Sequence, residues 1–142
     1  MLPRFQHLLV PTDFTEKNQP ALDIAFEIAT LNRARTTLLH VIETIDHTTD
    51  DELREFYERL EQRADTELEA LAQRFETANL PVDRKIRYGR RTAEIVSYAA
   101  EHAIDLIVMK SHPPDPARPM ESLNTISYQV SLICSCPILL VK

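Results

Sequence analysis

Glycine is almost missing from this chain: Gly89 is the only one in 142 residues. That excludes a G-x-G-x-x-G dinucleotide turn, a G-x-x-x-x-G-K-[ST] phosphate loop and a G-x-S-x-G nucleophile elbow. Each of these needs glycine where the backbone reaches φ > 0 or closely approaches a ligand. Cysteine is scarce as well. Cys134 and Cys136 are separated by one residue, too close together to staple the fold, and they have no companions for a tetrahedral zinc site. Buried thiols at a helix end, in a reducing cytoplasm, are the expectation. No apolar run approaches the roughly 18 residues needed to span a bilayer. The start, Met1-Leu2-Pro3-Arg4-Phe5, has neither the charged nor the long apolar region of a secretory signal. Excess positive charge is missing too. A net charge of -6 argues against non-specific nucleic-acid binding, which needs a cationic surface. His7, His40, His47 and His102 show no metal spacing, and no nucleophile–base pair is recognisable, so no catalytic or metal residue is assigned.

What remains is the pattern of one α/β domain, with 44% apolar and 27% charged residues and enough length to bury a core. Gln6-His7-Leu8-Leu9-Val10 reads as a short buried strand stopped by Pro11. A helix over 18–32 tolerates Pro20 in its first turn and aligns Ala21, Ile24, Ala25, Ile28 and Ala29 on one face. A second strand covers 36–42, and its unalternating apolar run suits a parallel sheet covered on both sides. The longest helix, 51–78, carries a stripe of Leu53, Phe56, Leu60, Ala64, Leu68, Leu71 and Phe75. Its other faces hold nine acids against four arginines and read as a solvated surface. A third strand over 82–88 is loaded with charge, which suits a sheet edge; its basic cluster with Arg90 and Arg91 reads as solvated. A helix over 93–102 turns Ile95, Val96, Ala99 and Ala103 inward. Strands at 105–109 and 138–141 flank a proline-broken loop and a helix over 121–133. Regular alternation of strand and helix predicts a doubly wound parallel sheet, with any ligand outside the carboxyl ends of the strands.

Three pieces resemble the universal stress protein family: Leu8-Leu9-Val10-Pro11-Thr12-Asp13-Phe14, Leu39-His40-Val41-Ile42, and Asp105-Leu106-Ile107-Val108-Met109 through Pro137-Ile138-Leu139-Leu140-Val141. Gly89, with a following helix containing Ile95, fits the family's turn after its third strand. The resemblance covers essentially the whole chain. It implies a Rossmann-like, five-stranded sheet of order 3-2-1-4-5, with a crevice between the first and fourth strands. Pro11, Thr12 and Asp13 would line one side, and Met109, Lys110, Ser111 and His112 the other. Val41 would touch an adenine, Asp13 the adenosine part, and His112 a phosphate. The residues alone also allow Asp13 as a helix cap, Val41 as core and His112 as an exposed loop histidine.

The resemblance makes ATP the cofactor to consider. Members that bind it carry G-x2-G-x9-G-[ST] after the fourth strand. Here Lys110 and Pro113 stand at the first two glycines, and Asn124 best matches the third, one residue late. Thr125 keeps the hydroxyl. Phosphates are held by clustered backbone N–H groups, yet Pro113, Pro114, Pro116 and Pro119 each remove a donor. Asp115 and Glu121 add negative charge, whereas Lys110, His112 and Arg118 could supply side-chain donors. The expectation is a cytoplasmic stress-response protein without tight ATP binding or a metal of its own. The alternatives are an ATP-binding switch and, with no catalytic set visible, an enzyme of the wider nucleotide α-hydrolase type. An apolar last strand, Ile138, Leu139, Leu140 and Val141, would lie at an edge and predicts a two-fold homodimer through it.

Overall fold

The computed structural model describes residues 4–44, 51–113 and 115–142, without the side chain of Ser122. The expectations for Met1-Leu2-Pro3, His47, the centre of the loop before the long helix, and Pro114 lie outside the described residues. Five strands, β1 (His7–Pro11), β2 (Arg35–Ile42), β3 (Val82–Tyr88), β4 (Leu106–Lys110) and β5 (Ile138–Val141), alternate with α1 (Gln19–Asn32), α2 (Asp51–Thr77), α3 (Arg91–Glu101) and α4 (Ile126–Ile133). All strand pairs are parallel, in the order β3-β2-β1-β4-β5. The register sets His7 against Arg35, Leu8 against Leu106 and Ile107 against Ile138. Asp105 is not part of β4. Its carboxylate instead accepts from the backbone N–H groups of Gln6 at 2.7 Å and His7 at 3.2 Å, which pins the start of β1.

The unalternating strands have the expected physical cause, since successive side chains point to opposite faces and both faces are covered. Leu8, Val10, Leu38 and Val108 pack with Ala21, Ala25 and Ala29 of α1 and Leu68, Ala72 and Phe75 of α2. Leu9, Leu39, Val41, Ile107 and Met109 pack on the other side with Ile95, Tyr98 and Ala99 of α3 and Val130 of α4. The alanine stripe of α1 lets that helix approach the sheet closely. Among the described residues, no helix is long and apolar enough to cross a membrane.

β3 lies at an edge, as its charges predict, but those charges are engaged rather than merely solvated. Arg84 reaches Asp65 at 3.5 Å and Glu69 at 4.0 Å on α2, while Arg87 reaches Glu94 at 3.5 Å and Glu101 at 2.8 Å on α3. Tyr88 donates its hydroxyl to Glu61 at 2.6 Å. Part of the acidic face of α2 therefore latches the edge strand, each pair adding little because it is half in water.

Three expectations about helices change. The first turns of α2 run past the sheet, leaving Phe56 43% exposed and turning Tyr57 toward Tyr88 (ring centroids 6.3 Å apart). Helical spacing continues where there is no longer a sheet to pack on. The expected helix over 121–133 is split into a 3₁₀ turn, Pro119–Asn124, and α4. Thr125 divides them by accepting the Tyr128 N–H at 3.3 Å as the N-cap of α4. Ala103, expected inward, is exposed in a left-handed conformation (φ 52°), and Ile104 takes the buried place.

Ala103 belongs to a set created by the glycine shortage. Arg33 (φ 52°), Asn79 (φ 58°) and Ala103 all occupy the left-handed position where a helix ends. Behind each, the next residue donates back five residues: Ala34 to Ala29, Leu80 to Phe75 and Ile104 to Ala99, at 2.9–3.1 Å. These are Schellman-type caps, a position usually given to glycine. Gly89 sits instead at φ 145°, where an added Cβ would come within 2.7 Å of Glu94 Oε1 in the first turn of α3.

Candidate functional site

The strand order reverses between β1 and β4, so their carboxyl ends diverge and open a crevice. Its volume is about 360 Å³, at the small end of ligand pockets. Nine of the ten residues expected at the site line it: Pro11, Thr12, Asp13, Val41, Met109, Lys110, His112, Asn124 and Thr125. Ser111 does not line it. Its N–H donates to the Val141 carbonyl at 2.7 Å, continuing the β4–β5 ladder, and its hydroxyl lies 3.5 Å from that of Ser127. Asn18, Leu39, Arg91, Ile95, Ile126 and Ser127 complete the lining.

The floor is apolar and follows from strand alternation. Leu39 and Val41 of β2, Met109 of β4 and Ile95 of α3 belong to one core cluster and expose only their outer edges to the crevice. Above them the chain leaves β1 by a tight path. The Thr12 N–H donates to the Leu39 carbonyl at 2.9 Å, and Phe14 takes φ 66°, a conformation rare for a bulky residue. Phe14 packs on the His40 ring at 4.3 Å between centroids, and His40 Nδ1–H donates to the Thr12 carbonyl at 2.8 Å. Burial, the largest influence, holds the His40 pKa below its ordinary value, so the ring is neutral at pH 7.

This path fixes the Asp13 carboxylate at the mouth. Its Oδ1 accepts from the Thr15 N–H at 3.0 Å, the Thr15 hydroxyl at 2.8 Å and the Asn18 side-chain amide. Its Oδ2 accepts from Lys110 Nζ at 2.5 Å, and the same ammonium donates to Thr15 Oγ1 at 3.4 Å. Partial burial alone would raise the Asp13 pKa. The hydrogen bonds from Lys110 and Thr15, with the Lys110 charge, outweigh it and lower the value to about 2. One ion pair therefore ties the end of β1 to the end of β4 across the mouth, with side chains only 30% and 24% exposed.

The remaining polar groups are also largely committed. Arg118 pairs with Glu121 at 3.4 Å and Arg91 with Glu43 at 3.7 Å. Asp115 accepts the Ala117 N–H at 2.9 Å, closing a local turn. Thr125 and Ser127 place hydroxyls at the start of α4, and His112 is exposed at the rim. Among the described residues, no group of three or more His, Cys, Asp and Glu side chains is arranged to hold a metal ion. Sequence reasoning missed Asn18, whose amide is buried against Asp13; a signal existed in an asparagine one turn beyond an Asp-x-Thr turn. Arg91 had been grouped with the edge-strand charges.

Comparison with known proteins agrees with this architecture. The profile of the universal stress protein family matches residues 4–142. Universal stress protein MJ0577 of Methanocaldococcus jannaschii is 24% identical over 155 aligned residues, covering 97% of this chain and 95% of that protein. The solved structure of the universal stress protein UspA from Lactobacillus plantarum aligns with a TM-score of 0.77 at 25% identity, covering 98% and 99% of the two chains. That of the universal stress protein from Archaeoglobus fulgidus in complex with dAMP aligns with a TM-score of 0.69, covering 97% and 98%, and at 16% identity shares the fold alone.

Proposed function

The chain belongs to the universal stress protein family, and we propose that within it this protein is a cytoplasmic, homodimeric stress-response protein whose nucleotide crevice does not bind ATP tightly. The observation that carries the proposal is the Lys110–Asp13 ion pair at 2.5 Å. Lys110 occupies the position of the first glycine in the family's ATP motif. Its side chain lies across the crevice mouth and engages the carboxylate expected near the adenosine part. A nucleotide must displace that ammonium from a carboxylate already holding three other hydrogen bonds. Breaking the pair costs about 1 kcal/mol, or roughly fivefold in affinity. The loop after β4 offers little in return. Pro113, Pro116 and Pro119 have no N–H to give, and Asp115 and Glu121 repel phosphate. Arg118, a candidate replacement donor, is paired with Glu121.

A second reading, an ATP-dependent switch, draws support from the open apolar floor and from the dAMP-bound relative of the same fold. Acid precipitation of the purified protein, with assay of the supernatant for nucleotide, separates the two. Stoichiometric adenine nucleotide sinks the first reading; its absence, with no calorimetric binding at millimolar ATP, sinks the second. ATP turnover abolished by Asp13→Ala would instead establish an enzyme.

The dimer rests on β5. It ends the sheet, its outer edge is unpaired among the described strands, and Leu139 within it is exposed. A second copy laid antiparallel along Ile138–Val141 would pair that edge. Light scattering should give twice the chain mass, reduced to one by Leu139→Arg. A monomer at micromolar concentration sinks the dimer.

A further inference from the structure

With ATP held only weakly, the reading on which this inference rests, the crevice still offers about 360 Å³ of open volume. That volume is present with Lys110 lying across the mouth, so a molecule seated on the floor leaves the Lys110–Asp13 pair intact. The Lys and Arg side chains of the lining are already matched: Lys110 has Asp13 at 2.5 Å and Arg91 has Glu43 at 3.7 Å. An entering anion competes with a carboxylate at either one, whereas a neutral molecule competes with neither. Apart from His112 at the rim, the other polar side chains are hydroxyls and amides, from Thr12, Asn18, Asn124, Thr125 and Ser127. Such groups both donate and accept. Ser127 is only 5% exposed. Its hydroxyl meets those of Thr125 at 3.4 Å and Ser111 at 3.5 Å, both longer than the usual hydroxyl separation of about 2.7 Å. A buried hydroxyl held this loosely has room for a better partner.

We propose that the crevice takes an uncharged, planar aromatic molecule with an amide-like hydrogen-bonding edge. The ring lies on the apolar floor of Leu39, Val41, Ile95 and Met109. Met109 and Arg91 favour an aromatic over an aliphatic occupant, since a thioether makes favourable contacts with aromatic rings and a guanidinium stacks on them. The edge of the molecule exchanges hydrogen bonds with Ser127. Its carbonyl faces Lys110, whose ammonium has three protons and gives two of them to Asp13 and Thr15. The third proton serves a neutral acceptor without disturbing the ion pair.

Indole-3-carboxamide and indole-3-carboxylate have nearly the same shape and differ in charge. Calorimetry with both, and methyl NMR of the protein's three methionines, test the site. The carboxamide should saturate at millimolar concentration and shift Met109, leaving Met120, 70% exposed, unmoved. The carboxylate should bind about fivefold more weakly. Ser127→Ala should cost the carboxamide about fivefold in affinity. Glu43→Gln, at an exposed residue outside the lining, should strengthen the carboxylate and leave the carboxamide unchanged. No carboxamide binding at millimolar concentration, a carboxylate that binds as well, an unmoved Met109 signal, undiminished affinity in Ser127→Ala, or an equal response of both probes to Glu43→Gln would each overturn the neutral site. If ATP also fails to bind, this inference alone falls. Micromolar ATP binding would sink it together with the reading beneath it.

Discussion

The floor of the crevice and the loop above it obey different physics. Pro11, Leu39, Val41 and Met109 belong to the sheet core as much as to the crevice, so packing holds them whether or not anything binds. The described residues after β4, from His112 to Asn124, are exposed and outside the core; among them Pro113, Pro116 and Pro119 have no N–H to donate, and Asp115 and Glu121 carry negative charge. Core packing thus holds the shape of the floor by itself, whereas the exposed loop residues are not constrained in that way.

The largest effect expected from that contrast is on the floor. Leu39→Ala should cost about 2–5 kcal/mol by leaving a cavity at a fully buried position, read as a lower urea midpoint at constant slope. A loss under about 1 kcal/mol would mean the floor is not the packed element described.

The mouth comes next. Asp13 has a folded pKa of about 2 against an ordinary 3.8. Its stabilising contribution is therefore complete above pH 3.8 and is lost as the pH falls from 3.8 toward 2. Allowing for solvent screening, it is worth about 1 kcal/mol. Asp13→Asn should be less stable than the unaltered protein at pH 6, and the gap should narrow as the pH falls through 3.8 toward 2. A gap independent of pH would assign the loss to turn geometry rather than charge.

A smaller, opposite effect tests the helix ends. Ala103→Gly relieves a left-handed alanine and should stabilise by about 0.5–1 kcal/mol, raising the thermal midpoint by about 1–4 °C. Arg33→Gly should act in the same direction. The smallest effect belongs to the loop: Pro116→Ala, exposed and without a packing role, should stay within about 0.5 kcal/mol of the unaltered protein. A large loss there would show that the loop has a structural duty after all.

Much of the fold was legible because its signals are local. Apolar runs marked four of the strands, the charges of 82–88 marked the fifth as an edge, and the family resemblance supplied the strand order that periodicity cannot. The misses were those that depend on what lies opposite. Phe56 keeps helical spacing beyond the reach of the sheet. Thr125 splits one helix by capping another. Ala103 carries a conformation that alanine rarely adopts, so its identity hid a helix end. At the crevice, nine of the ten expected residues line the walls, those of β1, β2 and β4 because the strand ends fix their places. The Lys110–Asp13 pair was not foreseen, since it joins residues 97 positions apart. Lys110 read as a side chain in the way; in the structure it is also a bond across the mouth.

That bond is tested most directly by ATP calorimetry on the unaltered protein beside Lys110→Gly. The unaltered protein should give no saturable heat at millimolar ATP, and Lys110→Gly should gain about fivefold in affinity once the carboxylate is freed. A micromolar ATP isotherm in the unaltered protein, left unchanged by Lys110→Gly, would contradict a crevice closed by its own lysine.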